Sequence, residues 1–360
     1  MTHTQQNTTI EKPTLTKPLI FEGKKPGPSL LVTASAHGDE KGGSIAIQSI
    51  AKQIRSGKRE ITNGRLVLLP KVNPRAYKEG KRFIDEDINR YMLPGYPRSG
   101  YEGKIRPALI DLIDEFSKNA DPNFKHYALD LHSFHAPNGV PYPITFSKDG
   151  PDHDFAKALE FPRIISGWYD AYLNSDPEDL IAHGLKPKNV AAFATVIGKR
   201  AHDNGAIALG VECGPHEHHN TAQRAYKAID TTLNYAGISS VLRRTAWRLT
   251  RPDTIADLVA ATSIGGVGGV AVPQAEKVQA LKVLFKRSTD EAFHIDVRND
   301  CERLQPNQLI LSGPDREVRA PDLDLDWRLL LAKPNPKAGD YVGYLSVKTD
   351  EYINPATLGL

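Results

Sequence analysis

The sequence predicts an α/β protein: a largely parallel, mixed sheet flanked by helices, followed by a small C-terminal all-β domain. Three observations carry that prediction. Short apolar runs of strand length alternate with stretches of helical periodicity up to about residue 240. Three of those runs end in a polar side chain able to bind a metal, at His37, His132 and Glu212. Beyond residue 240 the texture changes to short β-like runs broken by Pro, Gly, Asn and Asp.

The elements follow in chain order. Ser29 to Ala36 (SLLVTASA) is an apolar strand that ends at His37-Gly38-Asp39-Glu40, and Gly42-Gly43 then opens a helical pattern carrying Ile45, Ile47, Ile50 and Ile54. Arg65 to Pro70, Tyr127 to Leu131, Pro143 to Phe146 and Ala206 to Val211 are further strands. Helices are expected at Ile105–Phe116, Phe155–Leu159, Val190–His202 and Gln223–Tyr235. From Lys282 onward VLFKR, AFHIDV, QLILS, EVRAP, WRLLLAK and YVGYLSV read as β runs, and the glycine-rich Ile264 to Val270 reads as a loop. The expected division is a flexible polar arm over 1–17, a catalytic α/β domain over 18–240, and a connecting region with the β domain over 241–360.

Composition narrows the function. A chain of 360 residues, 40% hydrophobic and 25% charged, has the balance of an ordinary soluble globular protein. A net charge of +3 with scattered basic residues argues against nucleic acid as a partner and is compatible with a small anionic substrate. No apolar run approaches the roughly 20 residues that span a membrane, and the segment from Met1 to Lys17 has no apolar signal core. Cys213 and Cys301 make no disulfide framework, so a reducing, cytoplasmic location is expected. A homo-oligomer is compatible with everything above.

The metal-capable residues are the strongest chemical signal. His37-x-x-Glu40 puts two ligand-type side chains three residues apart just past a strand, and His132 ends a strand of its own. Two histidines and one carboxylate form a common ligand set for one catalytic zinc ion, leaving a fourth position for water. Magnesium would prefer oxygen ligands only. A lone HxxE occurs by chance in many proteins; the placement of all three residues at strand ends, where ligands bind in open α/β sheets, is what raises it. Asp130 is a candidate to orient a histidine. The charged segment Asp85-Glu86-Asp87-Ile88-Asn89-Arg90 is either a solvated loop or a device that aims Arg82 and Arg90 into the site, where a guanidinium can grip a carboxylate or stabilise an oxyanion. Glu212, at the end of the apolar run ALGVE, is poorly solvated, which suits proton transfer near neutral pH; a buried structural ion pair is the alternative. His216, His218 and His219 form a histidine-rich tract that reads equally well as a solvated helix start, so one ion is expected.

Taken together, AHGDE at 36–40, NPRAYKEGKRFIDEDINR at 73–90, LDLH at 129–132 and GVECGP at 210–215 resemble the succinylglutamate desuccinylase/aspartoacylase family, a branch of the zinc carboxypeptidase-like hydrolases. The resemblance covers roughly residues 29–238. It implies a zinc-carboxypeptidase-like fold and removal of an N-acyl group from a small amino acid. By the same resemblance His37, Glu40 and His132 match the zinc ligands and Glu212 the general base. Arg82 looks like the residue that polarises the scissile carbonyl, and Asn89 with Arg90 like the pair that grips a substrate carboxylate. Asp87 matches a residue that supports that loop, and Tyr341 is the candidate for a tyrosine the family supplies from its C-terminal part. The sequence departs from the family where Asp39 stands in place of the usual Asn and Ile88 in place of the usual Leu. A carboxypeptidase acting on peptide C-termini and a non-catalytic protein that binds zinc and a small acid are the alternative readings.

Overall fold

The protein is described by a computed structural model that covers residues 14–96, 99–136, 138–241, 275–297, 301–333, 335–358 and 360. Most of the expected N-terminal arm, the connecting region after Val241 and the glycine-rich run at 264–270 lie outside the described residues.

The first half alternates strand and helix. Strands β1 (Leu19–Glu22) and β2 (Lys25–Ala34) lead into helix α1 (Lys41–Arg55), followed by β3 (Arg59–Ile61), β4 (Asn63–Leu69), α2 (Pro74–Glu79) and α3 (Gly100–Lys118). Then come β5 (His126–Phe134), β6 (Tyr142–Ile144), α4 (Pro151–Ala158), β7 (Arg163–Ser166), α5 (Trp168–Leu173) and α6 (Pro177–Ala182). Helices α7 (Val190–Ala194) and α8 (Ile197–Asp203), strand β8 (Ile207–Pro215), α9 (Thr221–Tyr235) and β9 (Ser239–Val241) complete it. Strands β4, β2, β5 and β8 are parallel neighbours, and β1 and β6 pair antiparallel at either side of them.

Both faces of this sheet are covered, which explains its near-continuous apolar strands. On one face α1, α4 and α9 bury Ile47, Ile50, Phe155 and Ile229 against Leu30, Val32 and Leu129; on the other α3 and α8 bury Leu109, Ile113 and Ile197 against Leu31 and Val67. The helical spacing of Ala46, Ile47, Ile50 and Ala51 puts all four on the buried face of α1. Gly43 lets that helix come close: a Cβ there would stand 2.9 Å from the Cβ atoms of Ala34 and Leu131.

The described C-terminal residues form β strands apart from a 3-10 turn at Pro355–Leu358, and they continue the central sheet. The strands are β10 (Glu276–Phe285), β11 (Ala292–Phe293), β12 (Cys301–Arg303), β13 (Leu309–Ser312), β14 (Glu317–Arg319), β15 (Trp327–Leu330) and β16 (Tyr341–Lys348). Strand β10 pairs in parallel with β7, and β16, β15 and β12 extend the sheet beyond it, while β11, β13 and β14 form a separate small sheet. Cys213 and Cys301 are both buried and neither is disulfide-bonded. No described helix is long and apolar enough to cross a membrane.

Two expectations need correction. The helix expected over Val190–His202 is two helices, α7 and α8, broken at Thr195-Val196, where Thr195 is extended. The break comes from tertiary contacts: Asn89 Oδ1 accepts the Ile197 N–H at 2.8 Å, and Met92 N–H donates to Thr195 O at 3.0 Å. His132 and Glu212 are also not the last residues of their strands, since β5 runs on to Phe134 and β8 to Pro215.

The charged segment 84–90 is pinned rather than loose. Glu102, in the first turn of α3, is fully buried. Its carboxylate accepts from Asn73 Nδ2 (2.9 Å) and from the backbone N–H groups of Ile84 (2.7 Å), Asp85 (3.0 Å) and Glu86 (3.3 Å). Asp85 Oδ2 in turn accepts the Tyr101 N–H at 2.6 Å, so loop and helix terminus satisfy each other. Glu102→Ala orphans these donors at once and should lower stability on the order of 3 kcal/mol or more, read from urea unfolding; a change within experimental error would remove Glu102 as the anchor of this loop.

Candidate active site

The loop from Ser35 to Glu40 is clamped at several points. Ser35 takes a positive φ of 53° and its Oγ donates to Glu40 O at 2.9 Å. Asn73 N–H donates to Ser35 O and Gly38 N–H to Arg82 O, at 3.0 and 3.1 Å. Gly38 has no room for a side chain: a Cβ would lie 2.0 Å from the Ala76 backbone. This close seating on α2 fixes where His37 and Glu40 point.

His37, Glu40 and His132 meet. His37 Nδ1 lies 2.6 Å from Glu40 Oε1, and His132 Nδ1 lies 2.9 Å from Glu40 Oε2. His37 and Glu40 are 4% and 2% exposed, so the cluster is shielded from water. One donor atom from each lies within 4.8 Å of the others, close enough to share one ion. The far side of each ring is held as well. His37 Nε2 faces Asp87 Oδ1 at 3.1 Å, and His132 Nε2 faces Asp130 Oδ2 at 2.8 Å. Asp130 is itself fixed by Thr33 Oγ1, which donates to its Oδ1 at 2.7 Å. Strand alternation places Asp130 and His132 on one side of β5, which answers the expectation that Asp130 orients a histidine. An Nε2–H donated to a carboxylate leaves the Nδ1 lone pair free, which is how metal-ligating histidines are prepared. The residues therefore fit a divalent metal.

The electrostatics agree. Burial alone would keep His37 and His132 neutral, and Arg82 adds to that at His37; the carboxylates of Glu40 with Asp87, and of Asp130 with Glu40, outweigh burial and raise both imidazoles. Burial would likewise raise Asp87, but His37, Arg90 and Arg82 hold it well below its usual range. A cation bound at the Nδ1 atoms would take the place of the protons that this excess of carboxylate attracts.

Glu212 sits opposite His132 in the β5–β8 register. Its Oε2 is buried without a hydrogen-bond partner, and it forms no ion pair among the described residues. Burial first, and then the charge of Glu40, push its pKa up to about 7. The buried structural ion pair considered from the sequence is not seen among the described residues.

Arg82 approaches Glu40 Oε1 at 3.5 Å and Asp87 Oδ2 at 3.3 Å, with its side chain 42% exposed. Arg90 donates to Asn89 O at 2.8 Å and to Tyr172 Oη at 3.4 Å, while its Nε is buried with no partner among the described residues. The guanidinium lies 5.0 Å from the Phe193 ring centroid. Asn89 is 5% exposed; its Oδ1 caps α8 and its Nδ2 stands 3.1 Å from His132 Nε2. If His132 gives its Nε2 proton to Asp130, that nitrogen cannot accept from Asn89, and the amide keeps a donor to spare. Tyr341, at the start of β16, is 38% exposed, with its ring centroid 6.3 Å from that of Tyr344. His37, Glu40, His132, Arg82, Asn89 and Arg90 thus form one chain of contacts, with Glu212 opposite His132.

Sequence reasoning missed the wall around Arg90. Tyr172 and Tyr344 meet Oη to Oη at 2.9 Å, and Trp168 packs on Tyr344 with centroids 4.3 Å apart. Residues so far apart in the chain carry no local signal of meeting.

Residues 26–236 match the family model described as the succinylglutamate desuccinylase/aspartoacylase catalytic domain. An N-alpha-acetyl-L-2,4-diaminobutyric acid deacetylase from Halomonas elongata is 31% identical over 119 residues, covering 32% of this chain and 31% of the relative. A succinylglutamate desuccinylase from Serratia proteamaculans is 30% identical over 123 residues, covering 33% of this chain and 36% of the relative. The match thus spans about a third of the length of these curated relatives. Among solved structures, a succinylglutamate desuccinylase from Vibrio parahaemolyticus is similar at a TM-score of 0.64 with 15% identity, over 92% of this chain and 86% of that one. At that identity the similarity speaks for the fold.

If the Asp130 carboxylate prepares His132 for a metal, Asp130→Asn should weaken divalent-metal binding about 10–100-fold without unfolding the chain. Competition against a chromophoric chelator measures it, and unaltered affinity would break the link.

Proposed function

The chain belongs to the succinylglutamate desuccinylase/aspartoacylase family, and from that premise we propose that it is a zinc-dependent amidohydrolase that removes the N-acyl group from a small N-acyl amino acid. One observation supports this above the rest: two imidazoles turn their Nδ1 atoms to one buried carboxylate, with Glu212 beside them free of any ion pair among the described residues. A pure binder of zinc and a small acid has no use for such a carboxylate.

His37, Glu40 and His132 would hold the zinc, which when bound supplies Lewis acidity toward water and toward a carbonyl oxygen. Glu212 takes the proton from the attacking water and later delivers it to the leaving amine. Arg82 stabilises the oxyanion that develops on the scissile carbonyl. The Arg90 guanidinium, whose Nε has no partner among the described residues, grips the substrate carboxylate, with the spare donor of Asn89 beside it. Tyr341 faces the same space from the C-terminal strands. Asp87 and Asp130 orient the two imidazoles. Two guanidiniums near the centre favour a substrate with an acidic moiety, and the relatives act on acylated amino acids by name.

Glu212→Gln should retain zinc and fold yet lose about 10²–10⁴-fold in kcat. The sign of the pH effect follows from its role: a base works deprotonated, so wild-type kcat/KM falls as pH drops through the Glu212 pKa, at or below about 7, and the variant lacks that acid limb. Near wild-type turnover in Glu212→Gln, with metal content checked, would remove the base assignment.

Arg90→Ala should mainly raise KM for acidic N-acyl amino acids, because a carboxylate grip is largely uniform binding. Steady-state kinetics across acidic and neutral acylated amino acids test it; equal KM values in wild type and variant on acidic substrates would count against the grip.

A further inference from the structure

One cluster of metal-ligating side chains near this centre is left unused by the proposed reaction. Asp39 precedes Glu40, His135 lies three residues beyond His132, and His216 lies four beyond Glu212. The three chain segments that deliver the catalytic residues therefore deliver a second set. Each of the three offers a donor atom, and these lie within 4.8 Å of one another. Asp39 Oδ2 is 3.9 Å from His135 Nε2, and the His135 and His216 rings meet edge to face with centroids 4.2 Å apart.

Two details show that, among the described residues, the cluster lacks a partner. Asp39 Oδ1 and His216 Nε2 are both buried atoms with no hydrogen bond to a described residue, whereas buried polar atoms are paired in the great majority of cases. His216 is also oriented from behind. Its Nδ1 lies 2.7 Å from Ser133 Oγ, and its backbone N–H donates to Phe134 O at 2.9 Å. An Nδ1–H given to the serine leaves the Nε2 lone pair over, the same preparation seen at His37 and His132.

We propose that Asp39, His135 and His216 form a second metal site, at the rim of the catalytic centre, for a borderline divalent ion such as zinc. Two imidazoles and a carboxylate suit zinc, nickel or copper and not magnesium or calcium. Donors about 2.0–2.2 Å from tetrahedral zinc stand about 3.4 Å from each other, so the cluster must draw in slightly. His135, whose side chain is 80% exposed, can make that movement by rotation. With three protein donors and an exposed histidine, water completes the coordination, and the rim ion binds more weakly than the buried one. The sequence counts one ion; this cluster makes two. The proposal does not depend on which reaction the buried centre performs.

The test counts metal. The full-length, tag-free chain is stripped with chelator and brought to equilibrium by dialysis against buffered free zinc, and bound zinc is measured by mass spectrometry. Wild type should bind two ions per chain, and His135→Ala and His216→Ala one each, with thermal unfolding confirming that both variants fold. His37→Ala should lose the buried ion and keep the rim ion, which separates failure of one site from failure of the other. His218 and His219, stacked 4.6 Å apart, are the competing source of a second ion, and the double variant His218→Ala/His219→Ala should still bind two. A single ion in wild type would overturn the proposal. So would a second ion that survives both His135→Ala and His216→Ala, or one that disappears with the His218 and His219 pair.

Discussion

The constraint on which the rest of the site depends is the burial of Glu40. Its carboxylate is almost inaccessible to water, and it is divided between two imidazoles, one at each oxygen. A buried carboxylate must be compensated by positive charge and hydrogen bonds. Here Ser133 N–H donates to Oε2 at 3.1 Å and Arg82 approaches Oε1. Asp87 and Asp130 stand behind the two rings and increase the negative charge rather than relieve it. Such an arrangement is costly in an ordinary core. It becomes favourable when a divalent cation sits between the donors, because one ion then answers several carboxylates at once. On this reading the excess of acid around His37 and His132 is the negative half of a metal site.

Much of this was legible in the chain. His37, Glu40, His132 and Glu212 announce themselves because each interrupts or follows an apolar run that a polar residue would otherwise avoid. Parallel strands put their carboxyl ends at one edge, so residues far apart in sequence could be assigned to one place. The polar loop over 84–90 was harder. Its charges read as a solvated face, and its anchor, Glu102, lies in a helix whose charged residues look ordinary. Only the structure shows three backbone donors converging on that carboxylate. The break between α7 and α8 was hidden for a related reason. Helical periodicity runs on through Thr195, and what stops it is an amide supplied by Asn89 from 108 residues away.

The C-terminal strands were read correctly as β structure, but not their place. Strand β7 has four residues and β10 meets it in parallel; no local pattern specifies such a pairing across the chain. That pairing carries β16, and with it Tyr344, against Tyr172, whose hydroxyl accepts from Arg90. The aromatic side chains around Arg90 look like core residues in the sequence because they are core residues. Tyr172 and Tyr344 are 5% and 3% exposed. What distinguishes them is that they hold an arginine that keeps one donor unused. The catalytic half supplies the metal-capable residues and the C-terminal half closes the wall beside them, so the continuous sheet is what makes a single site out of two parts of the chain.

On the proposed mechanism the metal site and the base would be linked through charge. Glu212 is raised toward neutrality first by burial and then by the negative charge of Glu40, while His132, His37 and Arg82 lower it. A divalent ion held by His37, Glu40 and His132 would displace the protons that the surrounding carboxylates attract to the two imidazoles. It would therefore stand in for positive charge that already acts on Glu212 rather than add to it. The base would keep a raised pKa set mainly by burial, with no salt bridge of its own among the described residues to pull it down. Because Glu212 lies opposite His132 on the adjacent strand, these charges reach it through a poorly screened interior.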